Sequence, residues 1–262
     1  MTLNFLQTNG ARILWALLAI AVLHLVLIQP NHPDAVSWQA LLLFPLELPA
    51  IVLGLMALGL SRAGFYLRIV LVLALATIAA LKAADFAMFV SLNRGFNLVA
   101  DFPLIISLYQ LVVGAFGAPA ALLLIIVAFV ALIGLIATLW WACRTIARLP
   151  LPMPLPMIAG IASIAATAIA VTEVGATMGK WNAPFKTPGT AFTARVGVER
   201  YETIHETLAE LRIFRSAARQ DPFAGLTNLF DAVDRDVLVI FVESYGRTSF
   251  DTPLFADLHL ET

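Results

Sequence analysis

Long apolar stretches dominate the first two thirds of the chain. Five of them, at residues 13–28, 41–60, 67–90, 120–141 and 157–176, have the length and composition of membrane-spanning helices. A helix needs about 20 apolar residues to cross the hydrocarbon core, where its backbone finds no water to hydrogen-bond. A sixth stretch, at residues 104–116 between Pro103 and Pro119, is shorter and predicts a re-entrant or interfacial helix. The pattern therefore predicts an α-helical multi-pass membrane domain with about five spans.

Arginines in the short loops predict the orientation of this domain. Arg62 and Arg68 bracket the turn between the second and third spans, and Arg144 and Arg148 follow the fourth. The alternate loops carry at most one Lys or Arg. Because short loops rich in Lys and Arg stay on the cytoplasmic side, we expect the N-terminus in the cytoplasm and everything after Ala176 outside.

Composition narrows the classes of protein that this chain can represent. The 262 residues are 61% apolar and 13% charged, with a mean hydropathy of +0.91. Soluble globular domains are about 45–50% apolar and about 25% charged. The net charge of −1 gives no reason to expect a nucleic-acid partner, so the expected partner is the lipid bilayer. The only cysteine, Cys143, is expected to be a packed free thiol.

The chain changes character after the fifth predicted span. Between residues 194 and 219, Glu and Arg alternate with apolar residues such as Val198, Ile204 and Leu211 at roughly helical spacing. This pattern predicts an amphipathic helix near the outer membrane surface or under a folded domain.

A second change occurs at Asp236. Val237 to Val242 is an unbroken apolar run rich in β-branched residues, and it stops at Glu243, with Gly246 close behind. Such a run is typical of a parallel strand buried on both faces of an α/β sheet. Because ligands bind beyond the carboxyl ends of such strands, the Glu243 carboxylate is placed to bind a divalent cation.

Two short segments resemble a known family. The run Val-Ile-Phe-Val-Glu-Ser-Tyr-Gly-Arg, which ends at Arg247, resembles the opening of the catalytic domain in membrane-anchored sulfatase-like enzymes. These belong to the alkaline phosphatase superfamily, with the lipoteichoic acid synthases and the phosphoglycerol or phosphoethanolamine transferases. Residues 94–101 also resemble an Arg-x-Phe-Asn…Asp pattern of such anchors. The layout of spans, helical linker and α/β domain is similar too.

The resemblance implies three parts: a transmembrane anchor at residues 1–176, a juxtamembrane helical linker at 177–235, and the first strand and turn of an extracytoplasmic α/β domain at 236–262. It implies that Glu243 binds a divalent metal ion, Mn, Mg, Zn or Ca. In the family the Thr or Ser nucleophile and the other metal ligands follow much later. Thr248 and Ser249 fall too early, so we expect no catalytic residue in this chain.

The implied function is that of a metal-dependent phosphotransferase or hydrolase in the bacterial plasma membrane. Its chemistry would concern phosphoglycerol, phosphoethanolamine or sulfate esters at the outer face, with a lipid headgroup or an envelope glycan as substrate. We expect this sequence to be the N-terminal part of such an enzyme and to be inactive by itself.

Ionisable residues within the spans support an alternative function. Glu47 lies in the second predicted span, and Lys82 and Asp85 lie three apart near the end of the third, where they can pair on one helix face. Asp101 and Glu173 also lie toward the outer side. Because charges in a membrane are costly and mark functional sites, these residues predict a transporter or channel subunit, or a site that receives a lipid headgroup.

Overall fold

The structure is a computed structural model that describes residues 2–220, 231, 233–238 and 240, with side chains from Gly10 onward. Seven α-helices account for most of this part of the chain. They are α1 (Thr2–Ile28), α2 (Glu47–Leu58), α3 (Arg62–Leu92), α4 (Leu104–Phe116), α5 (Ala118–Ala147), α6 (Leu155–Thr177) and α7 (Phe192–Ala218).

Four of the helices are long and apolar enough to cross a membrane. They comprise Gly10–Ile28 of α1, together with α3, α5 and α6. These helices confirm the first, third, fourth and fifth predicted spans. The chain is therefore an α-helical, multi-pass membrane protein.

The second predicted span, residues 41–60, is wrong in its extent. The helix α2 has only 12 residues, about 18 Å, against about 30 Å for the hydrocarbon core. Residues 38–42 instead form a 3₁₀ turn, in which the Ser37 hydroxyl accepts a hydrogen bond from Ala40 N at 3.2 Å. Pro45 has no N–H for a helical hydrogen bond, and Gly59, at φ +51°, ends the helix.

Non-helical backbone before α2 is paired with the chain that precedes α7. The Thr190 N–H donates to the Phe44 carbonyl at 3.2 Å, and the Leu46 N–H donates to the Thr190 carbonyl at 3.1 Å. Irregular backbone at membrane depth is tolerated only where protein or water satisfies it. Residue 190 supplies those hydrogen bonds, so the chain does not need a helix over residues 41–46.

The principal core lies between α1, α2, α3 and α5. Its fully buried side chains include the large aliphatic residues Leu23, Leu55, Leu139 and Ile146. Cys143 is also fully buried here as a free thiol, as expected.

One end of the helical bundle is rich in arginine. The Arg68 guanidinium donates to the Gly59 carbonyl at 2.7 Å, and Gly59 lies beside the Ala147 carbonyl at the end of α5. We call this the arginine-rich end; it contains Arg12, Arg62, Arg68, Arg144 and Arg148. The short α2 runs from the opposite end, where Glu47 lies, to the arginine-rich end.

The chain divides into two compact units, residues 1–207 and 208–262. In the second unit the structure describes the last turns of α7, where Ile213 and Phe214 are exposed. Val237, Leu238 and Ile240 of the predicted strand are exposed and in no strand among the described residues. Glu243, Thr248 and Ser249 lie outside the described residues.

Candidate functional site

Buried and half-buried polar residues from four helices meet around the start of α7. They are Glu47 of α2, Lys82 and Asp85 of α3, Glu173 of α6, and Thr193 and Arg200 of α7. We call these six residues the polar cluster. Every member belongs to the first compact unit, residues 1–207, which we call the membrane unit. The polar cluster therefore lies within that unit.

Lys82 joins the end of α1 to the start of α7. Its ammonium group donates to the Leu27 carbonyl at 3.0 Å and to the Thr193 hydroxyl at 2.7 Å, and the ring of Phe192 lies 4.6 Å away. The Thr193 hydroxyl donates in turn to the Leu27 carbonyl at 2.6 Å. The last carbonyls of a helix lack helical partners and attract positive charge. Lys82 therefore satisfies the end of α1 while it holds α7.

Two carboxylates from other helices cap the start of α7. Glu47 Oε1 accepts a hydrogen bond from the Ala194 N–H at 2.8 Å, and Glu173 Oε2 accepts one from the Ala191 N–H at 3.0 Å. The first N–H groups of a helix need acceptors, and a carboxylate also complements the positive end of the helix dipole. The Thr177 hydroxyl donates to the other Glu173 oxygen at 3.1 Å.

Asp85 ties α3 to α7 and to the loop after α3. Its Oδ2 pairs with the Arg200 guanidinium, and its Oδ1 accepts a hydrogen bond from the Phe96 N–H at 2.9 Å. Arg200 also donates to the Phe96 carbonyl at 2.6 Å. The expected pairing of Lys82 with Asp85 is wrong, because α7 supplies a separate partner to each: a hydroxyl to Lys82 and a guanidinium to Asp85.

The Arg-x-Phe-Asn…Asp segment forms a loop held by its own side chains. Arg94 donates to both Asp101 oxygens, at 2.9 and 2.5 Å, and the Asn97 N–H donates to Asp101 Oδ2 at 2.8 Å. These hydrogen bonds and the charge of Arg94 hold the pKa of Asp101 below its usual value, although burial acts in the opposite direction. The Asn97 amide donates to the Thr207 hydroxyl at 2.9 Å, so the loop also contacts α7.

A largely apolar cavity of about 590 Å³ lies beside the polar cluster. Its lining includes Ile51, Leu75 and Val174, and its polar members are Glu47, Thr167, Lys180 and Thr193. Glu47 Oε2 is buried and accepts no hydrogen bond from the described residues. The cavity therefore suits an amphiphilic molecule with an apolar body and one hydrogen-bond donor.

The predicted metal site lies outside the described residues, because its one proposed ligand is Glu243. Within the described part of the chain, no three His, Cys, Asp or Glu side chains are grouped as a metal site would require.

Sequence reasoning missed the roles of Thr193 and Arg200. Arg200 is one of the alternating Glu and Arg residues of the predicted amphipathic helix, and it contacts the fully buried Asp85. The signal lay in α3, since a buried carboxylate requires a cation from some other element. Nothing in the linear pattern says which arginine supplies it.

The chain was compared with protein families, curated proteins and solved structures. No family model, curated protein or solved structure matches the chain. The fold and the polar cluster thus define the class, a polytopic α-helical membrane protein whose charged intramembrane residues bind a following helix.

Proposed function

We propose that this chain is the membrane anchor and N-terminal part of a metal-dependent, sulfatase-like phosphotransferase or hydrolase. It would act on phosphoglycerol, phosphoethanolamine or sulfate esters at the outer face of the bacterial plasma membrane. The resemblance around Glu243 supports the chemistry. The observation that carries the anchoring role is that Glu47, Lys82, Asp85 and Glu173 all contact α7 or the segment just before it.

Buried charges support anchoring because they are costly in a membrane and persist only with good partners. Lys82 and Asp85 are fully buried, and their partners lie in α1, in α7 and in the loop after α3. Their combined contacts determine where α7 begins and which face it presents to the bundle. An anchor of this kind sets the point at which the chain leaves the membrane unit.

The experiment that tests the enzyme uses the native gene product, purified from its own membranes. Its intact mass is compared with the 28.3 kDa of this sequence. Phosphodiester cleavage is then measured after chelation and after re-addition of Mn, Mg, Zn or Ca. We expect metal-dependent cleavage that Glu243→Ala abolishes and that Glu206→Ala, a change of an exposed acid on α7, leaves intact. Activity that survives Glu243→Ala, or no activity with any of the metals, would overturn this proposal.

The anchoring role has its own test in the same preparation. Arg200→Gln removes the partner of Asp85, so we expect turnover to fall severalfold while metal binding is unchanged. Arg212→Gln removes an exposed charge from the same helix and serves as the matched control. If both variants keep full turnover, the contact between Asp85 and Arg200 has no role in presenting the catalytic domain.

The cavity supports a second candidate function. A transporter or channel subunit that uses Glu47, Lys82 and Asp85 requires an accessible carboxylate. Glu47 Oε2 lies beside the 590 Å³ cavity and accepts no hydrogen bond within the described part of the chain. Loss of proton-coupled uptake in Glu47→Gln proteoliposomes, with uptake retained in Glu206→Gln, would favour transport. Engagement of Lys82 and Asp85 by α7 gives this candidate less support than the anchor.

A further inference from the structure

A second cavity, of about 650 Å³, lies at the arginine-rich end between α1 and α5. Its lining includes Arg12 and Trp15 from α1, Trp141 and Thr145 from α5, and Arg148, which follows α5. It lies at the opposite end of the bundle from the polar cluster and shares no lining residue with the first cavity.

Among the residues that the structure describes, the side chains around this cavity carry only positive charge. None of the lining residues is acidic, and neither Arg12 nor Arg148 forms an ion pair with any described side chain. The sequence has no Asp or Glu before Asp34 and none between Asp101 and Glu173. An acid close in the chain is therefore not available to either guanidinium.

The residues in and beside the cavity wall are of the types found where a protein meets the membrane–water interface. The Trp15 and Trp141 rings meet edge to face, with centroids 5.8 Å apart, and indoles concentrate at the headgroup level of bilayers. Leu14 and Leu18 of α1 are exposed next to this end, on a helix apolar enough to cross the membrane. An amphiphile with its charge in the cavity has an apolar surface beside it for acyl chains.

We propose that this cavity binds the phosphate of an anionic phospholipid, with the acyl chains along α1 and α5. Arg12 and Arg148 would each donate to phosphate oxygens in the fork geometry that guanidinium favours, and the Thr145 hydroxyl would add a donor. Basic pockets between helices at a membrane surface suit such headgroups. On the predicted orientation, the lipid belongs to the cytoplasmic leaflet.

Native mass spectrometry of the full chain in detergent tests the proposal by titration with dioleoyl phosphatidylglycerol and dioleoyl phosphatidylcholine. We expect the anionic lipid to bind about tenfold or more tightly than the zwitterionic one, since charge-assisted hydrogen bonds are the stronger kind. The Arg12→Gln/Arg148→Gln variant should lose this preference. The matched variant, Arg62→Gln/Arg144→Gln, removes two charges from the same end but outside the cavity, and should keep the preference within about threefold.

Arg148→Lys extends the test, because lysine keeps the positive charge but cannot donate two parallel hydrogen bonds as a guanidinium does. We expect its preference for the anionic lipid to lie between those of the unmodified chain and the double variant. Thermal unfolding without lipid should be alike in all variants, since both cavity arginines are exposed. Equal binding of the two lipids by the unmodified chain would overturn the proposal, as would equal losses in the cavity and matched variants. Displacement of the anionic lipid by millimolar inorganic phosphate would instead assign the cavity to a free anion.

Discussion

At the scale of single residues, the buried charges act through helix ends. Lys82 is fully buried, yet it donates to the Leu27 carbonyl, one of the last carbonyls of α1, which have no helical partner. It also donates to the Thr193 hydroxyl in the first turn of α7. Glu47 and Glu173 act in the same way on the N–H groups at the start of α7. Each of these side chains thus replaces water that the membrane does not supply.

Replacement of Lys82 by methionine tests this role. The change keeps most of the apolar stem, but it removes the donor to the Thr193 hydroxyl and leaves the Leu27 carbonyl with the Thr193 hydroxyl as its remaining side-chain donor. We expect Lys82→Met to reduce the free energy of unfolding by about 2–3 kcal/mol. Thermal or denaturant-induced unfolding in detergent measures this loss of stability. Lys186→Met, at an exposed lysine, should change stability by less than about 0.5 kcal/mol; equal losses would contradict the role.

Asp101 makes part of the stability dependent on pH. Its pKa is lowered by the hydrogen bonds and charge of Arg94, so the folded protein gains stability while the carboxylate is ionised. That gain is complete above the unfolded pKa, about 4, and is lost as the pH falls through the lower folded value.

The melting temperatures of the parent and of Asp101→Asn, measured from pH 7 to pH 3, test this dependence. We expect the parent to be more stable by about 1–2 kcal/mol at pH 7. The difference should shrink below about pH 4. Asp34→Asn, at an exposed acid near His32, is the control and should show no such trend. A constant difference at every pH would show that ionisation of Asp101 is not the cause.

At the scale of elements, α6 and the chain that follows it are closely fitted. Trp181 packs directly against Gly175 of α6, in the space that a Cβ atom would occupy, and its ring N–H donates to the Thr172 carbonyl at 3.1 Å. Gly175 and Trp181 also line the 590 Å³ cavity. Position 175 thus requires glycine, because the Trp181 ring leaves no space for a Cβ atom.

A pair of glycine replacements on α6 tests this fit. Gly175→Ala places a methyl group within the Trp181 ring, so we expect a loss of about 1–3 kcal/mol from overpacking. Gly160→Ala meets only the Ala57 methyl group at an ordinary 3.6 Å, and should be neutral or stabilising by up to about 1 kcal/mol. Thermal unfolding in detergent measures both.

Addition of Trp181→Ala to Gly175→Ala separates the ring contact from a general effect on the helix. Once the ring is gone, the added methyl group has space, so we expect the two changes to be strongly non-additive. Additive losses would mean that Gly175 is required for some reason other than its contact with Trp181.

At the scale of the whole molecule, charge is separated along the bundle. The arginine-rich end contains no acidic residue in the described part of the chain, whereas the polar cluster holds Glu47, Asp85 and Glu173 at the other end. Such a separation predicts one orientation in the membrane, with the arginines on the cytoplasmic side.

Labelling of single cysteines in intact cells tests the orientation. Cys143 is fully buried, so the parent chain should not react with a membrane-impermeant maleimide. Lys186→Cys places an exposed thiol after the last span, and Met153→Cys places one between α5 and α6. We expect labelling of the first only, and labelling of both after permeabilisation. Labelling of Met153→Cys alone in intact cells would reverse the predicted orientation.

Apolar length and hydrophobic period by themselves determined most of the helical framework. Four spans, the short helix at residues 104–116 and the helix after residue 192 all lie where hydrophobic period and length predict them. The reason is that a bilayer admits few alternatives: an apolar stretch of sufficient length must form a helix to satisfy its own backbone. The proposed metal chemistry at Glu243 stays a prediction from resemblance.

Tertiary structure alone decided where α2 begins and what the intramembrane charges contact. Residues 41–46 are apolar enough for a helix, but Pro45 interrupts it and the backbone at Thr190 supplies the missing hydrogen bonds from 145 positions further along the chain. Likewise, Lys82 and Asp85 are neighbours on one helix face but bind Thr193 and Arg200 instead of each other. Local pattern cannot rank such partners, because a buried charge pairs with whichever distant group the packing of helices brings within reach.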